Sequence, residues 1–261
     1  MKDPIRLIIS NERIFKNKNK KLVLTDSEAH YINKVMRIKT GKEIFITNGE
    51  GSLWKALKVK SNCIEIIQLD KPYLFKEKET ITLGMAVVLP KNGFEDILKM
   101  STEIGIDLIQ PLFSERQINK NFNSSKKLLR WNSIINEAVE QSERLWKPSI
   151  LNGLDIKDWI KNRHNKDTFS ISVTRDDSCN DLSKWLKKQQ EFLDKKGSIL
   201  WNVIGPEGGW SPNEIEFFVK NKIPLVKLSD TILRTTTATI YASSILKRWR
   251  NDIKLDDMLK K

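Results

Sequence analysis

Arg234 and Glu207 are the two side chains whose type and setting best suit them to chemistry. Arg234 ends the run Ser229-Asp-Thr-Ile-Leu-Arg234 and precedes a stretch of small residues, Thr235 to Leu246. A guanidinium there can meet a developing anion or a phosphate in planar, bidentate fashion, or it can close a structural ion pair. Glu207 lies within Gly205-Pro-Glu-Gly-Gly209. It can accept from a ribose, act as a modest base, or accept from local backbone amides. Glycines at 205, 208 and 209 allow angles and close approach that a Cβ forbids, so a flat ligand can lie on this backbone. Lys91 and Arg116 follow strand ends, where ligands of open sheets gather. Gln141 and Arg144 sit three apart on one helical face and can reach a base or its strand, or simply solvent. With only Cys63, Cys179, His30 and His164, neither a disulfide framework nor a zinc cluster is expected, so no metal site is assigned.

These residues need elements to hold them. Ser198 to Ile204 is apolar enough for a buried strand, and Ser211-Pro-Asn-Glu214 is a capping box with proline at the first helical position. The helix therefore starts at Ser211, and its positive end is expected to face the glycine corner, suiting a carboxylate or phosphate. Thr80 to Leu89, Asp107 to Phe113, Thr168 to Thr174, Ser198 to Ile204 and Leu225 to Leu228 read as strands alternating with helices. That pattern predicts an α/β domain with a parallel sheet covered on both faces. Phe94, Ile97, Leu98 and Ile104 line one helix, and Leu128, Trp131, Ile134, Ile135, Ala138, Val139 and Leu145 a longer one.

Before residue 70 the pattern is mostly short strands. Thr25-Asp-Ser-Glu28 is a second capping box, after which Ala29, Ile32, Val35 and Met36 predict one apolar helix face with Lys34 and Arg37 projecting elsewhere. Strands are expected at Glu43 to Thr47, Leu53 to Val59 and Cys63 to Leu69, with a turn at Asn48 to Gly51. This is a small β-barrel-like domain. The Lys16 to Lys21 run reads as a solvated loop, and Lys71 to Glu79 as the linker, giving domains over 1–73 and 74–261.

The stretches GPEGGW (205–210) and LSDTILRTTTA (228–238) together resemble the paired loops of the SPOUT methyltransferases, within them the family that methylates N3 of a uridine in bacterial 16S ribosomal RNA. HYINKVMRIKTG (30–41), LPKNGFEDILKMSTEIG (89–105), Ser114-Glu-Arg116 and Glu140-Gln-Ser142 with Arg144 extend the resemblance nearly end to end. It implies a PUA-like RNA-binding N-terminal domain, a trefoil-knotted SPOUT domain and S-adenosylmethionine as cofactor. Its implied cofactor contacts are Thr174, Ile204, Gly205, Pro206, Glu207, Gly208, Gly209, Leu228, Ser229, Leu233, Arg234, Thr235 and Ala238. Arg234 and Glu207 become candidate catalytic residues, Lys34, Arg37, Lys91, Arg116, Gln141 and Arg144 candidate RNA contacts, and His30 an ordering residue of the N-terminal domain. The substrate it implies is a uridine in the decoding region of 16S rRNA within the assembled 30S subunit.

Departures from the family pattern are Tyr31 after His30, a shorter loop after Lys91, Ser229 where glycine is common, Thr236 where glutamate is expected, and Glu143 where glycine is frequent. Two other readings use the same residues: a non-catalytic RNA-binding assembly factor, and a ribose 2′-O-methyltransferase of the same class. The small residues Ala238, Thr239, Ala242, Ser243 and Ser244 offer a face for close helix packing, in a homodimer or within one chain.

Charge agrees with a polyanion partner. Residues 1–75 carry 15 Lys and Arg against 8 Asp and Glu, more than half of the net +13 of all 261 residues. No apolar run approaches a membrane span and no signal-peptide pattern opens the sequence, so a cytoplasmic location without a membrane partner is expected.

Overall fold

The computed structural model describes residues 5–16, 20–117, 125–163, 167–174, 179–189, 197 and 199–259. Two compact units result: Met1–Lys78 with Asn136–Lys147, and Glu79–Ile135 with Pro148–Lys261.

The first unit contains β1 (Arg6–Ile8), α1 (Asn11–Phe15), β2 (Lys21–Val23), α2 (Asp26–His30), β3 (Glu43–Thr47), β4 (Ser52–Lys60), β5 (Cys63–Ile66) and β6 (Leu74–Phe75). The strands form one sheet in the order β1-β3-β4-β5-β2, with β6 paired to β4. Alternation puts Ile44, Ile46, Trp54, Ala56, Ile64 and Ile66 into one core with Leu7, Ile9, Leu22 and Ile32. Strands β1, β2 and β6 have two or three residues each, too few to show a period. Of the expected basic loop, residues 17–19 lie outside the described residues.

The capping box at Thr25 forms, and Glu28 also pairs with Arg13. The helix does not continue as expected. Tyr31–Val35 is a π-helical turn, closed by Met36 N–H donating to Tyr31 O at 2.9 Å. The extra residue in this turn rotates the face: Ile32 is fully buried, whereas Val35 and Met36 face solvent. His30 is exposed, and its side chain makes no hydrogen bond among the described residues. The side-chain bonds at this helix start are those among Thr25, Glu28 and Arg13.

Asn136–Lys147 joins this unit through specific bonds. Ile8 N–H donates to Glu140 Oε1 at 2.9 Å, Gly51 N–H to Leu145 O at 2.8 Å, and Lys147 N–H to Gly49 O at 2.8 Å. At Gly51, φ is +96° and a Cβ would lie 2.5 Å from Lys76 O, so only glycine fits the turn. Glu143 has φ +58°, a conformation that favours glycine, and its carboxylate holds Arg6 at 2.6 Å.

The second unit contains β7 (Thr82–Val88), α3 (Phe94–Ile104), β8 (Leu108–Phe113), α4 (Ser125–Gln141, up to residue 135), β9 (Ser149–Ile150), β10 (Leu154–Asp155), α5 (Ile156–Arg163), β11 (Asp167–Val173), β12 (Asn180–Asp181), α6 (Leu182–Gln189), β13 (Ile199–Ile204), α7 (Pro212–Lys220), β14 (Leu225–Lys227) and α8 (Thr235–Leu259). All strands run parallel, in the order β10-β8-β7-β13-β11-β14-β12, with β9 beside β8. The five expected strands are present; Ser198 lies outside the described residues. The three extra strands are two-residue edges.

Packing at the sheet centre depends on one glycine. Gly84 pairs with Trp201 in register, and a Cβ there would lie 2.1 Å from Trp201 Cε3. Trp201 in turn meets Trp159 edge-on at 5.6 Å. Helix α8 is fastened by Arg250, almost wholly buried, which donates to Ile81 O, Gly105 O and the Asp107 carboxylate. The small-residue face of α8 is used inside the chain: Ala238, Thr239, Ala242 and Ser243 are buried, with α3 and β7 packed on the helix. Its exposed side instead shows Tyr241, Ser244 and Arg248.

Candidate active site

Strands β11, β13 and β14 end side by side, and beyond their carboxyl ends opens a cavity of about 330 Å³. This is where ligands of open parallel sheets bind. Gly205, Pro206, Glu207 and Gly209 form its floor. A Cβ on Gly205 would come within 2.9 Å of Trp210, whose Nε1 donates to Ser172 O at 2.9 Å and whose ring meets Phe218 edge-on at 5.1 Å. The indole therefore sets the height of the corner. Gly209 takes φ +69°, closing the turn with its N–H on Pro206 O at 2.9 Å.

The opposite wall is the loop from Leu228 to Arg234. Ser229 does not take a positive φ, so its backbone does not require glycine. Its Oγ lies 3.0 Å from Thr231 Oγ1 and accepts from Thr231 N–H at 3.2 Å, a local turn. Thr235, the first residue of α8, donates its hydroxyl to Gly205 O at 3.3 Å and ties the two loops together.

The amino end of α7 is arranged differently from expectation. Ser211 and Glu214 form the capping box, Glu214 also accepts from Glu115 N–H at 3.0 Å, and Ser211 Oγ donates to Glu115 at 2.5 Å. The chain's own carboxylates thus satisfy that end, and α7 does not line the cavity. Hydrogen bonds from Lys157 and Ser211 hold the Glu115 carboxyl below its usual range. The helix end at the cavity belongs to α8, through Thr235 and Ala238.

Of the expected cofactor contacts, Thr174, Ile204, Gly205, Pro206, Glu207, Gly209, Leu228, Ser229, Leu233, Arg234, Thr235 and Ala238 all line this cavity. Gly208 does not: its carbonyl accepts from Arg116 Nη1 at 3.0 Å, which turns it toward the β8 loop. Glu207 Oε1 accepts from Lys91 N–H at 2.8 Å. Lys91 and Arg116, expected at RNA, are thus engaged with the glycine corner, Lys91 through its backbone. Arg234 is exposed, and its guanidinium has no partner among the described residues, so it closes no structural ion pair there. Thr236 faces Gly93, whose Cβ would lie 3.0 Å from its Oγ1, and does not line the cavity.

Lys34, Arg37, Gln141 and Arg144 belong to the first unit. Lys34 and Arg37 are exposed, and Gln141 donates to Tyr31 Oη at 3.4 Å. Ser172, Val173, Trp210, Lys227 and the Asp230 to Ile232 segment also line the cavity and were missed. Strand-end position identifies the first two and Lys227, and adjacency to Gly209 identifies Trp210. Among the described residues no cluster of His, Cys, Asp and Glu is placed to hold a metal, and no helix is long and apolar enough to cross a membrane.

Fold and site together define an α/β domain that receives a small ligand at its strand ends, preceded by a small sheet domain. The RNA methyltransferase domain family matches residues 76–247, and the RNA methyltransferase PUA domain family residues 24–57. Ribosomal RNA small subunit methyltransferase E of Synechocystis is 32% identical over 91% of this chain and 75% of its own length; that of Buchnera aphidicola (Schizaphis graminum) is 32% identical over 88% and 91%. The solved structure of the Neisseria gonorrhoeae protein of that name, bound to S-adenosylmethionine, superposes with TM-score 0.75 at 23% identity, covering 94% of this chain and 97% of that one. A Legionella pneumophila methyltransferase in complex with the same cofactor gives TM-score 0.78 at 22% identity, over 94% and 97%. The chain belongs to the ribosomal RNA small subunit methyltransferase E family, SPOUT-type enzymes with an N-terminal PUA-like domain.

Proposed function

We propose that this enzyme uses S-adenosylmethionine to methylate N3 of a uridine in the decoding region of 16S rRNA in the assembled small subunit. The observation that carries the reading is the juxtaposition, in one cavity, of the glycine corner, the Leu228–Arg234 loop and a guanidinium without a partner among the described residues. The residues fit the cofactor: the cavity is of small-ligand size, Gly209 leaves open space where a Cβ would be, and Ile204, Leu228, Leu233 and Ala238 supply apolar wall. Polar groups of Thr174, Ser229 and Thr235 edge it. Bound there, the cofactor would supply an electrophilic methyl group on sulfonium.

A uridine N3 becomes nucleophilic only as its proton leaves, when negative charge spreads over N3 and the flanking carbonyl oxygens. Arg234 is the residue to stabilise that charge, donating to a uracil carbonyl oxygen while water takes the proton. Glu207 holds the Lys91 loop in place. The same reading takes the protein to be cytoplasmic, the SPOUT domain to be knotted and the enzyme to act as a homodimer. The groove between α6 and α8, where exposed Tyr241 stands beside Ile245, is the face assigned to the dimer.

The test incubates the protein with methyl-labelled cofactor and 30S subunits from a strain lacking the modification, then maps the product by nucleoside mass spectrometry. Label at uridine N3 supports the reading. Label on a ribose 2′-oxygen would make this a 2′-O-methyltransferase, and no transfer would leave an RNA-binding assembly factor. Sedimentation at micromolar concentration showing only monomer would remove the dimer.

A further inference from the structure

The π-helical turn in the first unit breaks the pattern written in its own sequence. Ala29, Ile32, Val35 and Met36 have the spacing of one buried helix face, yet Val35 and Met36 are 57% and 37% exposed. The turn at Tyr31–Val35 causes this, and Arg37 follows it in the left-handed region at φ +53°. Such turns and positive-φ residues are costly unless the surroundings hold them, and they concentrate at functional sites. Here the surroundings do hold them. Lys58, only 5% exposed, reaches from β4 and donates Nζ to Ile38 O and Asn33 Oδ1. Asn33 Nδ2 in turn donates to Ala29 O and Ser61 O. A buried lysine is thus used to brace both sides of the turn, which is rare for this residue type.

What the braced turn presents is a tetrad with cations at its two ends and apolar side chains between them: Lys34, Val35, Met36 and Arg37, all exposed. Neither Lys34 nor Arg37 has a partner among the described residues. Two free cations enclosing two outward apolar side chains suit a ligand with anionic links and flat apolar faces. Unpaired RNA has that chemistry: phosphates on the strand and splayed bases between them. The segment also lies within the match to the RNA methyltransferase PUA domain family at residues 24–57.

We propose that Lys34–Arg37 is an RNA-gripping knuckle, in which Val35 and Met36 pack against an unstacked base while Lys34 and Arg37 hold the flanking phosphates, with Lys58 as its positioning residue. This rests on the reading of the protein as an RNA-modifying enzyme. Apolar side chains used as wedges against bases are known chemistry in nucleic-acid recognition. The knuckle selects single strands because a paired, stacked base offers no face to Val35 and Met36, whereas the cations act on any phosphate.

Fluorescence anisotropy of the full chain with labelled oligouridine and with an RNA duplex of equal length, over a series of KCl concentrations, tests this. Val35→Ser with Met36→Ser is expected to weaken oligouridine binding about tenfold through lost apolar burial, to leave duplex binding unchanged and to preserve the salt slope. Lys34→Gln with Arg37→Gln weakens both RNAs and lowers the slope by about one per cation removed. Lys58→Met keeps all four side chains and still loses the preference for oligouridine; a thermal midpoint confirms folding of each variant. Equal losses on single strand and duplex from the Val35 and Met36 changes, or no loss, would overturn the knuckle. If the wild-type protein methylates 30S subunits while these variants bind as it does, only the knuckle fails. If the wild-type protein binds neither oligouridine nor duplex, or binds phosphatidylglycerol vesicles in preference, the knuckle fails; absence of methyl transfer to 30S subunits is the separate result that removes the reading it rests on.

Discussion

Glu207 Oε1 accepts the backbone N–H of Lys91 at 2.8 Å, joining two loops 116 positions apart in sequence. Through this bond the glycine corner is held by the loop after β7, as Arg116 holds its other side from the loop after β8. The bond needs an acceptor oxygen and no charge. Glu207→Gln is therefore expected to keep methyl transfer within about threefold of wild type, since a neutral amide oxygen retains the bond at modest cost. Glu207→Ala releases Lys91 and weakens cofactor binding about tenfold, by loss of about one hydrogen bond. Calorimetry and single-turnover transfer check both. A large rate loss in the Gln variant with normal cofactor affinity would instead make Glu207 the base.

Arg234→Lys is expected to retain the fold and most cofactor affinity while lowering single-turnover methylation by about 10²-fold. An ammonium cannot reproduce two planar contacts to a charge-bearing carbonyl. Rapid-quench methyl transfer and calorimetry separate the two halves. Normal transfer would remove Arg234 from catalysis, and lost cofactor binding would place it in the cofactor pocket alone.

Gly84→Ala should destabilise the second unit by about 3 kcal/mol or more, because the new methyl falls on the Trp201 ring in a closely packed core. Trp201→Leu in the same chain should recover part of that loss, as contacting sites are not additive. Urea midpoints of the two single variants and the double variant measure the coupling. Strict additivity would mean the sheet shifts to accommodate the methyl.

Glu140 sets a pH dependence for the first unit. Burial pushes its carboxyl from 4.5 up to about 7, with Glu28 and Glu137 adding to the effect against the hydrogen bond from the Ile8 amide. A raised acid favours the folded state most when protonated. Its contribution is full below pH 4.5 and is lost as pH rises through about 7. Glu140→Gln keeps an acceptor for Ile8 and should stabilise the protein by up to about 3 kcal/mol at pH 8, with little effect at pH 4. Denaturant midpoints across that range check it. Equal shifts at both ends would show that protonation of Glu140 is not coupled to folding.

The parts legible from the amino-acid sequence are those governed by short-range pattern. Buried parallel strands are nearly continuous apolar runs, so β7, β8, β11, β13 and β14 were legible. Capping boxes depend on four consecutive residues, so Thr25 and Ser211 were legible as helix starts. Most of the cavity lining was legible too, because glycine and small residues mark close approach wherever they occur and the paired loops resemble those of one family.

Which groups those elements meet follows from long-range packing. The α7 amino end faces Glu115, 96 residues before Ser211, so an apparent anion site is filled by the chain itself. The Val35 and Met36 face turns outward because Lys58, on a different strand, stabilises a π-helical turn that local spacing does not encode. The small-residue stripe of α8 closes against α3 and β7, and Arg250 reaches Asp107 across 143 positions. Each of these depends on partners brought together by the fold. Pattern reports which face of an element is apolar, whereas the identity of what covers that face is a property of the packed chain.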